Sequence, residues 1–273
     1  MGTKKKRARV PARATTWSKR ELSDGVDTRA SYADENGQYT PERQALHDEL
    51  VDQLLDGHTS QEEPRLTLTS GGTASGKSDA AKKAQKEMGD CVYVNTDEMR
   101  ALLPEFSLVE GTDKAGLLQE EAGDIRDQLL AEAVASRMNV TWDAPGSPPV
   151  ADHLNEIQKR GYRITIAYTH RPVAEAKAAA RYRAENASNR ADRRVVPDAV
   201  IEASHGKARA GFGAMAAIPD REVIVYDKSG KRRGARADVI YHRTAMGEVL
   251  VHDEARMRQF ADGGKPRIDE SVF

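Results

Sequence analysis

The feature that most constrains this chain is the octapeptide Gly71-Gly72-Thr73-Ala74-Ser75-Gly76-Lys77-Ser78. It fits the pattern G-x-x-x-x-G-K-[ST] and lies between two readable segments. Residues 64–70 are rich in Leu and Thr and read as a strand, and residues 79–88 read as a helix stopped at Gly89. Glycines let the backbone fold into a concave nest of N–H groups, and the helix start adds unpaired donors and the positive end of its dipole. Such a cradle suits a phosphate chain. Gly72, Thr73, Ala74, Ser75, Gly76, Lys77, Ser78 and Asp79 are therefore the candidate nucleotide-binding residues. Lys77 would serve the β- and γ-phosphates and the Ser78 hydroxyl a Mg²⁺ ion. ATP and Mg²⁺ are the expected cofactors; the plain alternative is a glycine turn beside a surface lysine.

The rest of the composition mainly excludes. At 273 residues the chain suits one large α/β domain or two small ones. Its 42 Lys+Arg and 43 Asp+Glu leave a net charge of −1, which disfavours a basic nucleic-acid scaffold. Cys91 is the single cysteine, so there is no disulfide framework and no multi-cysteine metal site. No apolar run approaches the length of a membrane helix and the N-terminus lacks a signal-peptide core, so a cytoplasmic location and no membrane partner are expected.

Charge and periodicity divide the chain further. Residues 1–20 carry eight basic and no acidic residues, whereas 21–63 carry twelve acids against two arginines. Residues 1–37 read as a flexible arm, basic then acidic, with nucleic acid as the less favoured partner. Residues 38–230 read as one P-loop kinase-like domain, and 231–273 as an extension packed on it. The domain opens with a helix at Thr40-Pro41, where Leu46, Leu50, Val51, Leu54 and Leu55 share one face. Strand patterns follow at 91–94, 140–142, 163–168 and 223–226, alternating with helical patterns at 114–137 and 172–187. Alternation of this kind predicts a three-layer α/β/α fold with a mainly parallel sheet of about five strands, and the polar, Arg-rich helix over 172–187 reads as an Arg-bearing helical lid on it. Residues beyond 230 fit a covering helix or a hairpin equally well.

A GTPase would show Asn-Lys-x-Asp and a motor ATPase a Walker B of four apolar residues followed by Asp-Glu; neither is found. A kinase needs a group to take the acceptor's proton and cations to close over the γ-phosphate. Asn95-Thr96-Asp97-Glu98-Met99-Arg100 follows the second strand of the series. Parallel sheets bind ligands at the carboxyl ends of their strands, so Asp97 is the candidate base and Arg100 a candidate substrate contact. The alternative role for Asp97 is to cap the next helix. Arg181 and Arg183, with Arg190, Arg193 and Arg194 behind them, are candidate lid cations or simply a solvated face.

Taken together these residues resemble the zeta toxin kinases. The likeness spans roughly 38–228: Tyr39-Thr40-Pro41-Glu42-Arg43, the glycine loop, Asn95-Thr96-Asp97, Glu121-Ala122, Asp143 at a strand end, Arg181-Tyr182-Arg183 and Arg194-Val195-Val196-Pro197. The resemblance implies Asp97 as catalytic base, Lys77 and Ser78 on ATP and Mg²⁺, Arg181 and Arg194 as phosphate clamps, and Glu121 and Asp143 lining the acceptor pocket. It implies an acceptor hydroxyl on a nucleotide-like small molecule, either a nucleotide sugar such as UDP-N-acetylglucosamine or a dinucleotide, and a protein antitoxin or inhibitor as partner. Asp143 is followed by Ala144-Pro145, where family members often have Gly-Thr. Trp142 reads as a core residue or as a ring for stacking on the acceptor. The rival readings are a polynucleotide-end kinase and a nucleotide-binding interaction protein whose chemistry has decayed.

Overall fold

The computed structural model describes residues 25–109, 113–186, 195–232 and 234–262. In chain order the helices are α1 (Pro41–Leu55), α2 (Lys77–Met88), α3 (Thr96–Leu102), α4 (Gln119–Ala135), α5 (Pro148–Lys159), α6 (Val173–Asn186), α7 (Asp198–Ala216) and α8 (Glu254–Asp262). The strands are β1 (Arg65–Ser70), β2 (Val92–Asn95), β3 (Val140–Asp143), β4 (Arg163–His170), β5 (Arg221–Asp227), β6 (Asp238–Arg243) and β7 (Val249–His252). Short helical turns at Thr28–Tyr32, Phe106–Val109 and Asp113–Leu118 complete the helical segments. The chain forms two compact units: one comprises residues 58–94, 133–186, 196–232 and 234–262, the other residues 25–57, 95–109, 113–132 and 195.

The larger unit carries a seven-stranded sheet in the order β2-β3-β1-β4-β5-β6-β7. β1 runs parallel to β3 and β4, and β4 parallel to β5. The fold is three-layer α/β/α with a mainly parallel sheet, as expected of a P-loop kinase-like chain. Leu66 to Ser70 of β1 are all buried, the signature of a strand covered on both faces. The five strands expected from sequence are joined by an antiparallel hairpin, β6 on β5 and β7 on β6. Every residue of β7 is exposed although Val249, Leu250 and Val251 form a short apolar run, so no buried face distinguishes it; pairing with β6 holds it in the sheet. Among the described residues no helix is long and apolar enough to cross a membrane.

In the smaller unit, α1 starts where the sequence says it should. Thr40 Oγ1 accepts the Arg43 N–H at 3.3 Å and Pro41 takes the first helical position. Leu46, Leu50 and Val51 are buried, and so are Arg43 and His47 on the same stripe. The helical pattern expected over 114–137 resolves into a 3-10 segment, Asp113–Leu118, and then α4. Gly116, a weak helix former, falls in the 3-10 part.

Candidate active site

The phosphate loop leaves the carboxyl end of β1 and runs into α2. Gly76 caps the helix in a left-handed conformation (φ +100°), which only glycine adopts cheaply, and among the described residues no side-chain cap bonds to the helix start. The helix start therefore keeps its donors for an anion. Lys77 folds back over the loop, its Nζ 3.0 Å from Gly71 O and 3.5 Å from Gly72 O, and 3.8 Å from Asp143 Oδ1 at the end of β3. Asp143 also accepts from the Tyr93 hydroxyl at 3.3 Å. Ser75 Oγ is buried with no hydrogen-bond partner among the described residues. An uncapped helix start, a lysine over the loop and an orphaned hydroxyl fit a polyphosphate.

Mg²⁺ fits on different grounds. No group of three or more His, Cys, Asp or Glu able to hold a metal occurs among the described residues. Ser78, in the first turn of α2, is exposed and offers a hydroxyl. An ion held by one such hydroxyl and by phosphate oxygens needs no dedicated protein cage.

Other residues of the same unit close around the loop. From the end of β4, Arg171 Nη1 donates to Ala74 O at 3.3 Å, and its buried Nε has no partner among the described residues. Lys228, just after β5 and buried, pairs with Asp79 in the first turn of α2. From α7, Ser204 Oγ accepts the Thr73 N–H at 2.9 Å, and His205 Nε2 lies 3.0 Å from Thr73 O. The His205 ring rests on Gly72, and a Cβ there would fall inside its contact distance. None of these four is among the candidate site residues of the sequence. Arg171 and Lys228 carried a usable signal, since each directly follows a parallel strand at its carboxyl end. Ser204 and His205 carried none, being ordinary residues in mid-helix.

The smaller unit holds Asp97, Arg100 and Glu121. Asn95 is the cap of α3: its Oδ1 accepts the Asp97 N–H at 2.7 Å. The Asp97 carboxylate is thus not the cap; it is about half exposed (54 %) and pairs with the buried Arg100 one turn on. Glu121 is fully buried, with Arg43 Nε at 2.5 Å and His47 Nε2 at 2.7 Å on one oxygen and Arg43 Nη2 at 2.9 Å on the other. Arg43 also forks onto the fully buried Glu105, both bonds at 2.9 Å, and its guanidinium stacks 4.0 Å from the Tyr32 ring centroid. Burial alone would raise the Glu121 pKa; the bonds from His47 and Arg43 outweigh it and hold it at about 2. Tyr39 donates to Asp124 at 2.6 Å, which ties the entry to α1 onto α4.

The family model of the zeta toxin matches residues 50–243. The chain belongs to the zeta toxin family. Among solved structures, one from the characterisation of the PezAT chromosomal toxin–antitoxin system of Streptococcus pneumoniae aligns with this zeta-family chain at a TM-score of 0.58 and 16 % identity, covering 75 % of this chain and 82 % of the other. The AvrRxo1-ORF1:-ORF2 complex aligns at a TM-score of 0.63 and 14 % identity, over 87 % and 82 % of the two chains. The same pair with ATP aligns at 0.62 and 15 %, over 86 % and 81 %. Identities this low speak for a shared fold alone. No curated protein matches the chain.

In this zeta-family chain Arg181 stands on α6, largely exposed, and donates to Asp198 Oδ2 of α7 at 2.7 Å. Arg194, with Arg190 and Arg193, lies outside the described residues. Trp142 is a core residue at 2 % exposure, so it offers no stacking face to a ligand. The Ala144-Pro145-Gly146 segment is pinned to β1 by the Ser70 hydroxyl, which donates to Pro145 O at 2.9 Å.

Two expectations follow from the loop's surroundings. Gly72→Ala should drive the His205 ring off the loop and cost about 1–3 kcal/mol of stability. The cost should shrink when His205 is also Ala, so a double-mutant cycle on denaturation free energies reads the contact directly. The second concerns His170, at the end of β4, whose pKa burial pushes down to about 4 against the opposing pull of Asp227. A folded-state value below the unfolded one favours the neutral ring, so its contribution is complete above about pH 6.5 and is lost as pH falls toward 4. The loss should reach about 3 kcal/mol. Urea denaturation at pH 7.5 and 4.5 should show a smaller drop in His170→Gln than in wild type.

Proposed function

We propose that this zeta-family chain is an ATP- and Mg²⁺-dependent phosphotransferase acting on a hydroxyl of a nucleotide-like small molecule, a nucleotide sugar such as UDP-N-acetylglucosamine or a dinucleotide. The observation that carries the reading is the loop itself: an uncapped helix start at left-handed Gly76, with Lys77 laid back over the Gly71 and Gly72 carbonyls beside Asp143. Family membership supports it.

In this reading each side chain has a task. Lys77 offsets charge on the β- and γ-phosphates, and the Ser78 hydroxyl holds Mg²⁺, which when bound neutralises phosphate charge. Asp97 takes the proton of the acceptor hydroxyl as the new O–P bond forms and the bond to the β-phosphate oxygen breaks, leaving ADP. Its carboxylate suits the role because Asn95 already caps α3. Arg181 and Arg194 stabilise the charge on the transferring group. Asp143 and Arg100 contact the acceptor. Glu121, sealed by Arg43 and His47, acts by shaping the acceptor pocket rather than by touching the reacting atoms. We assign it a protein antitoxin as partner and a cytoplasmic location; the similar PezAT structure comes from a toxin–antitoxin system.

The test is incubation with labelled ATP and a metabolite extract. A phosphorylated nucleotide-like product is expected, identified by mass spectrometry. ATP binding by calorimetry with no ADP formed against any acceptor would sink the enzyme reading and favour a decayed binding protein.

A further inference from the structure

The helical pair α6 and α7 is seated on the phosphate loop by polar as well as apolar contacts. Ala74, in a left-handed conformation (φ +61°), packs with Val196 against the buried Ala176, Ala180 and Ile201 of the two helices. One residue earlier, α7 engages both backbone groups of Thr73: Ser204 Oγ takes the N–H and His205 Nε2 meets the carbonyl. The Ser204 proton is spent on Ile201 O at 2.8 Å, so toward the loop its hydroxyl presents lone pairs only. To the Thr73 amide it offers what a phosphate oxygen would offer. A carbonyl only accepts, so His205 carries a proton on Nε2. Burial lowers its pKa against the opposing bond to Thr73, and Lys77 and Arg209 push it down further.

The position along the loop says which phosphate is concerned. Lys77 Nζ rests on the Gly71 and Gly72 carbonyls, and in loops of this kind the lysine serves the β- and γ-phosphates. Thr73 therefore stands at the outer end of the phosphate chain. We infer that Ser204 and His205 form a latch that a triphosphate's terminal phosphate must displace from Thr73. The inference rests on reading the loop as an ATP site. Ser204 and His205 are positioning residues: they touch the loop, not the reacting atoms.

The latch has a lever attached. α7 is bound to α6 by Arg181 on Asp198, and by Lys177 on Asp198 at 3.6 Å and on Glu202 at 2.5 Å. Releasing Ser204 frees the helix pair that carries Arg181 when a terminal phosphate arrives, whereas a diphosphate, lacking that group, leaves the latch closed. The device lets the lid distinguish ATP from ADP.

Ser204→Ala removes the competing hydroxyl without harming helix propensity. In calorimetric titrations the variant should bind ATP about three- to tenfold more tightly than wild type, the worth of one hydrogen bond, with ADP unchanged within about twofold. ATP affinity that is unchanged, or that moves in step with ADP, would overturn the competition. Amide exchange tests the latch without nucleotide: the segment containing Thr73 should exchange faster in Ser204→Ala, and equal exchange would overturn it. A wild type that binds neither nucleotide overturns the ATP reading and the competition with it, while faster exchange in the variant would still support the latch.

Discussion

Asp97→Asn is expected to bind ATP within about twofold of wild type while phosphate transfer falls by about two to four orders of magnitude, the usual contribution of a positioned base. The substitution keeps shape and the hydrogen bond toward Arg100 but removes the proton acceptor. It should not unravel α3, because the cap of that helix is Asn95 and not Asp97. Lys77→Ala should behave differently, weakening nucleotide binding and transfer together, since its ammonium stands at the loop itself. Calorimetry with ATP and single-turnover transfer from labelled ATP separate the two effects. Transfer in Asp97→Asn at the wild-type rate would remove Asp97 from the chemistry.

The second large effect is on stability. Arg43→Met should cost about 3–5 kcal/mol, because it strands two carboxylates that have no water to turn to. Glu105 and Glu121 are both fully buried and share the one guanidinium, Glu121 with help from His47 and Glu105 from the Tyr32 hydroxyl at 3.0 Å. Adding Glu105→Gln and Glu121→Gln to Arg43→Met should return part of the loss by removing the uncompensated charge, though not the bonds. Chemical denaturation of the three proteins measures this. A single Arg43→Met that unfolds like wild type would mean that the network carries no net stability.

How much of this was legible beforehand depended on whether local chemistry or packing decides an element. The start of α1 was readable because Thr40 and Pro41 satisfy or remove the amides a helix start leaves unpaired. The loop was readable because G-x-x-x-x-G-K-S leaves few other conformations that use its glycines. The buried polar stripe of α1 was not, because Arg43 and His47 look like solvent-facing residues until Glu105 and Glu121 are brought to them from residues far along the chain. β7 was only half readable: the apolar run Val249-Leu250-Val251 suited a hairpin strand or a covering helix equally well, and pairing with β6 decided between them.

From residue order alone came the phosphate cradle, the mainly parallel α/β architecture and family membership, because each rests on short-range pattern: glycine conformations, caps and alternating periods. Tertiary contact alone decided that Glu121 is sealed under Arg43 and that α7 lays Ser204 and His205 on Thr73. The partners in both lie dozens of residues apart, and no local rule says which distant chain will supply the hydrogen bond a buried polar group must have.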